Sequence, residues 1–228
     1  MAFLYLSIVT VMEKSLSLSQ KVYLSMLVFI AWFTLIFQFY LHINSGAATK
    51  SELLIRFFSY FTIDSNLLVA LCSTSILFFR STLIASFFAK LHVISAIAVY
   101  IIVVALVYNV VLRFLWVLEG WSMVLNELLH VVVPIMFLIY WIYFVPKQQL
   151  QWKNIWLWLV FPLLYTVFVL VRGNFSGFYP YPFLNINELG LNKVLINCLV
   201  ITLLFALLSA LFVAIGKRKA KVNEGKLI

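Results

Sequence analysis

The sequence predicts an all-α polytopic membrane protein, a bundle of six transmembrane helices, and three observations predict it. Of the 228 residues, 65% are hydrophobic and only 10% are charged, whereas soluble domains carry about 25% charged residues. Six apolar stretches, each of roughly the 20 residues needed to cross a hydrocarbon core about 30 Å thick, fill more than half of the chain. None shows the two-residue alternation over about ten residues that marks the strands of a membrane barrel. In lipid a lone segment satisfies its backbone hydrogen bonds only as a helix.

In order, the spans are expected over 21–41, 53–79, 88–112, 122–145, 154–172 and 193–215, in one domain covering 1–228 with tails at 1–20 and 216–228. The first ends near His42, and the second is opened by Thr49-Lys-Ser-Glu52, a capping-box pattern. The third begins beside Lys90 and His92. Glu119 precedes the fourth, and Pro146 and Lys147 close it. The fifth lies between Lys153 and Arg172, and the sixth between Lys193 and the basic run at Lys217. Residues Met1 to Val11 are apolar but too short to span and lack the basic start of a signal peptide. They are expected to be an interfacial segment, or to precede a true start at Met12.

With six spans the two termini share a side. That side carries Lys14, Lys21, Arg80, Lys90, Lys147, Lys153, Lys217, Arg218, Lys219, Lys221 and Lys226, against Lys50, Arg56, Arg113, Arg172 and Lys193 on the other. The positive-inside rule therefore places both termini in the cytoplasm and the chain in the cell membrane. The net charge of +9 is a topology and lipid-contact signal, not a nucleic-acid footprint. Cys72 and Cys198 lie inside apolar runs at different depths, which argues against a disulfide and against cysteine-type metal sites. The aromatic residues Tyr140, Trp141, Tyr143, Trp152, Trp156 and Trp158 flank the Pro146 loop and read as an interfacial belt.

Polar residues inside a bilayer are costly and mark candidate sites. Three places hold them: Ser59, Thr62, Asp64, Ser65 and Asn66 in the second span; Asn126, Glu127 and His130 in the fourth; and Arg172 with the loop through Tyr179 and Tyr181. On a continuous helix Thr62 shares a face with Ser59, Ser65 and Asn66, while Asp64 points away. His130 comes nine residues after Trp121 and Thr62 nine after Leu53, so equal rise along two inward-running helices would give them matching depth. A histidine activates a threonine hydroxyl for acyl transfer, and Asn126 or Glu127, one turn earlier, is placed to fix the ring. The same residues also suit plain interhelical hydrogen bonding. Asn109, Asn174, Asn192 and Asn197 are open alternatives as oxyanion donors. No Gly-rich phosphate loop, His-Glu-x-x-His or paired-cysteine motif is present, and no cofactor or metal is implied.

Three short motifs, Tyr60-Phe-Thr62-Ile-Asp-Ser-Asn66, Leu129-His130-Val-Val-Val-Pro134 and Tyr179-Pro-Tyr181-Pro-Phe183-Leu, together resemble the androgen-induced membrane protein family, in a bacterial six-span form. Eukaryotic members are intramembrane threonine hydrolases of fatty acid esters of hydroxy fatty acids. The resemblance implies Thr62 as nucleophile, His130 as base and a membrane lipid or fatty-acyl ester as substrate. This chain departs from those members at Arg172 and Gly173, where they tend to carry histidines, and at Asp64 and Ser65. Arg172 offers a partner to a fatty-acid carboxylate, an anionic headgroup or Glu188. Pro180 and Pro182 stiffen a loop that would cover the site. Two other classes remain open: a proton-coupled or small-molecule transporter with Asp64, Glu127, Arg113 and Arg172 on its path, and a non-catalytic membrane scaffold.

Overall fold

A computed structural model describes residues 15–79 and 81–224, with side chains placed up to residue 218. The expectations for Met1 to Val11 and for a start at Met12 fall outside the described residues. Among those described there is no strand, and six helices are long and apolar enough to cross a membrane. This is an all-α, multi-pass membrane protein. The spans are α1 (Leu18–Ile43), α3 (Phe61–Phe78), α5 (Leu91–Leu112), α6 (Gly120–Phe144), α7 (Asn154–Ser176) and the first part of α9 (Leu191–Glu224). Shorter helices are α2 (Lys50–Phe57), α4 (Leu83–Phe88) and α8 (Ile186–Leu189).

The chain divides into two compact units. The first joins the described residues up to Gln38 with Ser65–Lys147, and the second joins Phe39–Asp64 with those from Gln148 onward. Within the first, α5 is the central helix: Ile94 through Ile101 are all buried. Polar side chains tie the helices of this unit together. Trp32 donates its Nε1 to Thr74 Oγ1 at 2.9 Å, Trp141 donates to Ser95 Oγ at 2.9 Å, and Tyr23 donates its hydroxyl to the Met136 carbonyl at 2.8 Å. Lys147 is buried and gives its Nζ to the carbonyls of Trp141, Ile142 and Val145, closing the carbonyl end of α6 as a cation at a helix C-terminus does. In the second unit α7 and α9 pack together, and the Phe61 ring lies against Phe161, Tyr165 and Phe205 from these two helices.

Two expectations need correcting. The apolar stretch expected as one helix from 53 to 79 is two, because the chain leaves helical geometry between Phe57 and Phe61. Thr49 does cap a helix, accepting from the Glu52 N–H at 3.4 Å, but that helix is the short α2. The aromatic belt also divides. Tyr143, Trp152 and Trp156 are exposed, whereas Tyr140, Trp141 and Trp158 are core residues. Periodicity near a span end does not distinguish a ring in the headgroup layer from one turned inward.

Candidate functional site

The break before α3 determines the surroundings of Thr62. At Ser59 and Tyr60 the backbone turns through bonds from Ser59 N to Arg56 O and Tyr60 N to Phe57 O, and α3 restarts with Ile63 N and Asp64 N on the Tyr60 carbonyl. A helix start leaves its first N–H groups without helical acceptors, and in an apolar setting each needs another. No Ser, Thr, Asp or Asn occupies the position before Phe61. Two distant tyrosines supply the acceptors. Phe61 N donates to the Tyr165 hydroxyl at 3.2 Å, and that hydroxyl donates to the Ser59 carbonyl at 2.8 Å. Thr62 N donates to the Tyr181 hydroxyl at 3.1 Å, and the same oxygen lies 3.2 Å from Thr62 Oγ1.

Thr62 thus sits in the first turn of its helix, and Ser59 lies in the break. The expected shared face with Ser59, and the equal-rise argument that matched Thr62 with His130, both assumed a continuous helix and do not apply. Tyr181 is itself held in place. Its ring stacks on Phe183 at 5.2 Å, and the Phe183 carbonyl accepts from Asn197 Nδ2 at 2.8 Å. Burial pushes the Tyr181 hydroxyl up to about 12, so at neutral pH it is a phenol able both to donate and to accept.

His130 belongs to the first unit, and its surroundings follow from Pro134. A proline lacks the N–H that would serve the carbonyl four residues earlier, here that of His130. The helix widens into a π turn over Leu128–Val132, in which the Val133 N–H reaches back to Leu128 rather than to Leu129. Two carbonyls thereby lose their usual α-helical donors, and two asparagines serve them. Asn66 Nδ2 donates to Leu129 O at 3.2 Å, and Asn109 Nδ2 donates to His130 O at 3.3 Å. The last turn of α5, Tyr108–Leu112, is also a π turn, and Tyr108 stacks on the His130 ring with centroids 3.9 Å apart.

The imidazole Nδ1 lies 2.8 Å from the Asn126 carbonyl oxygen. A carbonyl only accepts, so Nδ1 carries the proton and Nε2 is the basic nitrogen of the neutral ring. Of the two expected orienting residues, Asn126 acts through its backbone, while its side-chain amide donates to the Tyr108 hydroxyl. The carboxylate of Glu127 is engaged by an arginine. It is bonded at both oxygens by Arg113, at 2.6 and 2.8 Å, and Arg113 also donates to Asn109 Oδ1 at 2.9 Å. The bonds to Glu127 keep the Arg113 guanidinium firmly protonated, above its ordinary range.

The third cluster lies in the second unit. Glu52 accepts from Arg56 Nε at 2.8 Å and from Arg172 Nη2 at 2.7 Å, and these bonds hold its carboxyl below the usual range. Arg172 therefore pairs with Glu52 rather than with Glu188, which is exposed. Tyr179 packs its ring onto Gly173 and leaves no room there for a Cβ.

The structure thus brings Thr62 to Tyr181, His130 to Asn126, Asn66 to the carbonyl preceding His130, and Arg172 to Glu52. Thr62 and His130 fall in different units. Of the expected oxyanion donors, Asn109 and Asn197 give their amides to carbonyls, and Asn174 and Asn192 are exposed. Tyr165, Tyr108 and Glu52 were not anticipated. Pro134 signals a disturbed helix around His130, but nothing local to Tyr165 signals its bond to Ser59, which is 106 residues away. Among the described residues no group of three His, Cys, Asp or Glu side chains is placed to hold a metal ion. No protein-family model, curated protein or solved structure matches this chain.

Proposed function

We propose that this protein is an intramembrane lipid ester hydrolase, similar to the androgen-induced membrane protein family, in which Thr62 is the nucleophile and His130 the base. The observation that supports this reading most is the hold of Tyr181 on Thr62. One phenol engages both the hydroxyl oxygen and the backbone N–H of the same threonine, the two groups acyl transfer would use as nucleophile and oxyanion donor. The His130 tautomer is also the useful one, with Nε2 basic and Nδ1 anchored.

In the proposed reaction the Thr62 hydroxyl attacks the ester carbonyl and its proton passes to a base, the role that the family resemblance gives to His130. The oxyanion takes hydrogen bonds from the Thr62 N–H and the Tyr181 phenol. The carbon–oxygen bond to the alcohol then breaks, and the alcohol leaves with the proton from His130. Water, deprotonated in turn by His130, splits the acyl-threonine, releases the acid and restores the hydroxyl. The excess of Lys and Arg on the side of the termini supports a cell-membrane protein with both termini in the cytoplasm.

A fluorophosphonate probe carrying an acyl chain tests the chemistry. Wild type and Thr62→Ser should be labelled, Thr62→Ala should not, and His130→Ala should be labelled about a hundredfold more slowly or less. If Thr62 and His130 act as one unit, combining Thr62→Ala with His130→Ala should cost turnover little beyond either alone. Labelling that persists in Thr62→Ala would refute the mechanism.

A further inference from the structure

The last turn of α5 is a π turn without a local cause. Over Tyr108–Leu112 the helix widens, and the Arg113 N–H reaches back to the Tyr108 carbonyl at 2.8 Å instead of to that of Asn109. Pro134 accounts for the π turn of α6, but α5 holds neither proline nor glycine, and no proline precedes Pro134 in the chain. Turns of this kind are rare inside helices and gather at functional sites. The cause of this one must lie in what its side chains touch.

The polar side chains of this turn and of the residue that caps it all reach the part of α6 around His130. Tyr108 lies nearly parallel to the imidazole, with centroids 3.9 Å and planes 20° apart, and its hydroxyl takes a hydrogen bond from the Asn126 side chain. Asn109 gives Nδ2 to the His130 carbonyl at 3.3 Å. Arg113 binds both oxygens of Glu127 and Asn109 Oδ1, and its guanidinium carbon is 5.2 Å from the Tyr108 centroid. With more residues per turn than an α-helix, a π turn brings consecutive side chains closer to one face, which is how the neighbours Tyr108 and Asn109 both serve His130. The bond from Nδ1 to the Asn126 carbonyl fixes one atom of the imidazole. Aiming Nε2 also requires the plane of the ring to be fixed, and a stacked ring does that.

We propose that the π turn of α5 is a positioning device for His130, in which Tyr108, backed by Arg113, holds the imidazole plane so that Nδ1 keeps the proton and Nε2 stays aimed as the base. The proposal rests on the reading of His130 as a base, and Tyr108 and Arg113 act through its ring as positioning residues. The proton of a neutral imidazole goes to the nitrogen that its surroundings engage, so a ring released from its plane also loses its single tautomer. Such a hold suits a base in particular, because a misplacement of about 1 Å costs about a hundredfold in rate.

Magic-angle-spinning NMR of the full chain in phosphatidylcholine bilayers, with isotope-labelled histidine ring nitrogens, reads the tautomer directly at about pH 8.5, where an ordinary imidazole is neutral. The chain has three histidines, and His130→Gln identifies the signals of His130. No substrate or probe is present, so the outcome is separate from that of the labelling experiment. The Nδ1–H form should dominate in wild type and in Tyr108→Phe, which keeps the stacked ring. In Tyr108→Leu the tautomer ratio should shift about tenfold toward Nε2–H, the equivalent of one hydrogen bond. Arg113→Gln, which removes the cation beside the Tyr108 ring, should shift it about threefold. Unmoved signals of His42 and His92 show that each variant is folded, since a general loss of packing would move all three. A dominant Nε2–H form in wild type, an unchanged ratio in Tyr108→Leu or in Arg113→Gln, or a shift in Tyr108→Phe as large as that in Tyr108→Leu would overturn the proposal.

Discussion

The two units handle the same problem in opposite ways. In the first, Pro134 disturbs α6 but the helix continues, shifted into a π turn, and the groups that lose their usual helical partners are carbonyls, served by the amides of Asn66 and Asn109. In the second the helix stops and restarts, and the exposed groups are N–H donors, served by the phenols of Tyr165 and Tyr181. Amide nitrogens donate and phenol oxygens can accept, so each unit recruits the side chain whose chemistry fits the group left over. A shifted helix keeps His130 in a packed stack with Tyr108, whereas a broken helix leaves Thr62 at a helix start whose donors point away from the chain.

This contrast predicts that the phenols of the second unit carry more stability than the amides of the first. Tyr165 serves two backbone groups at once, the Phe61 N–H and the Ser59 carbonyl, in a buried setting. Tyr165→Phe keeps the ring and removes both bonds, so it should destabilise by about 2–4 kcal/mol. Thermal unfolding of the purified protein in detergent measures this, and a loss under about 1 kcal/mol would mean that the break is satisfied in another way.

The amide side of the comparison should be weaker and partly repairable. Asn109→Leu removes one donor from the His130 carbonyl and should cost about 1–2 kcal/mol. Pro134→Ala restores a backbone N–H to the same carbonyl and allows a regular α turn. In the double variant part of the Asn109→Leu loss should return, a coupling of about 0.5–1 kcal/mol. Strict additivity of the two changes would show that Asn109 does not compensate for the proline.

The same contrast explains what the sequence disclosed. Apolar runs of membrane length are a strong local signal, and all six appear as helices. Pro134 is also a local signal, four residues beyond the carbonyl it affects. The break at Phe58 to Tyr60 had none, since Phe58-Ser-Tyr60 contains neither proline nor glycine and lies in an apolar run. It is stable because Tyr165 and Tyr181 are present more than a hundred residues later. For the same reason Thr62 and His130 could be singled out by residue type, while the partners of Thr62, of Glu127 and of Arg172 were set by tertiary contacts that spacing does not carry.

Titration separates the two units further, because a phenol can ionise and an amide cannot. Burial raises the Tyr181 hydroxyl from 10.0 to about 12. Its folded value lies above its unfolded value, so this group's contribution is fully present below about pH 10 and is lost as pH rises through about 12. The stability difference between wild type and Tyr181→Phe should therefore shrink as pH is raised through that window, while the difference between wild type and Asn109→Leu should stay constant. Comparison with each variant removes the effect of the other tyrosines. The phenol acts there on one backbone N–H and one hydroxyl. A difference for Tyr181→Phe that is flat across the window would mean that the phenol remains un-ionised beyond it or contributes little to holding the start of α3.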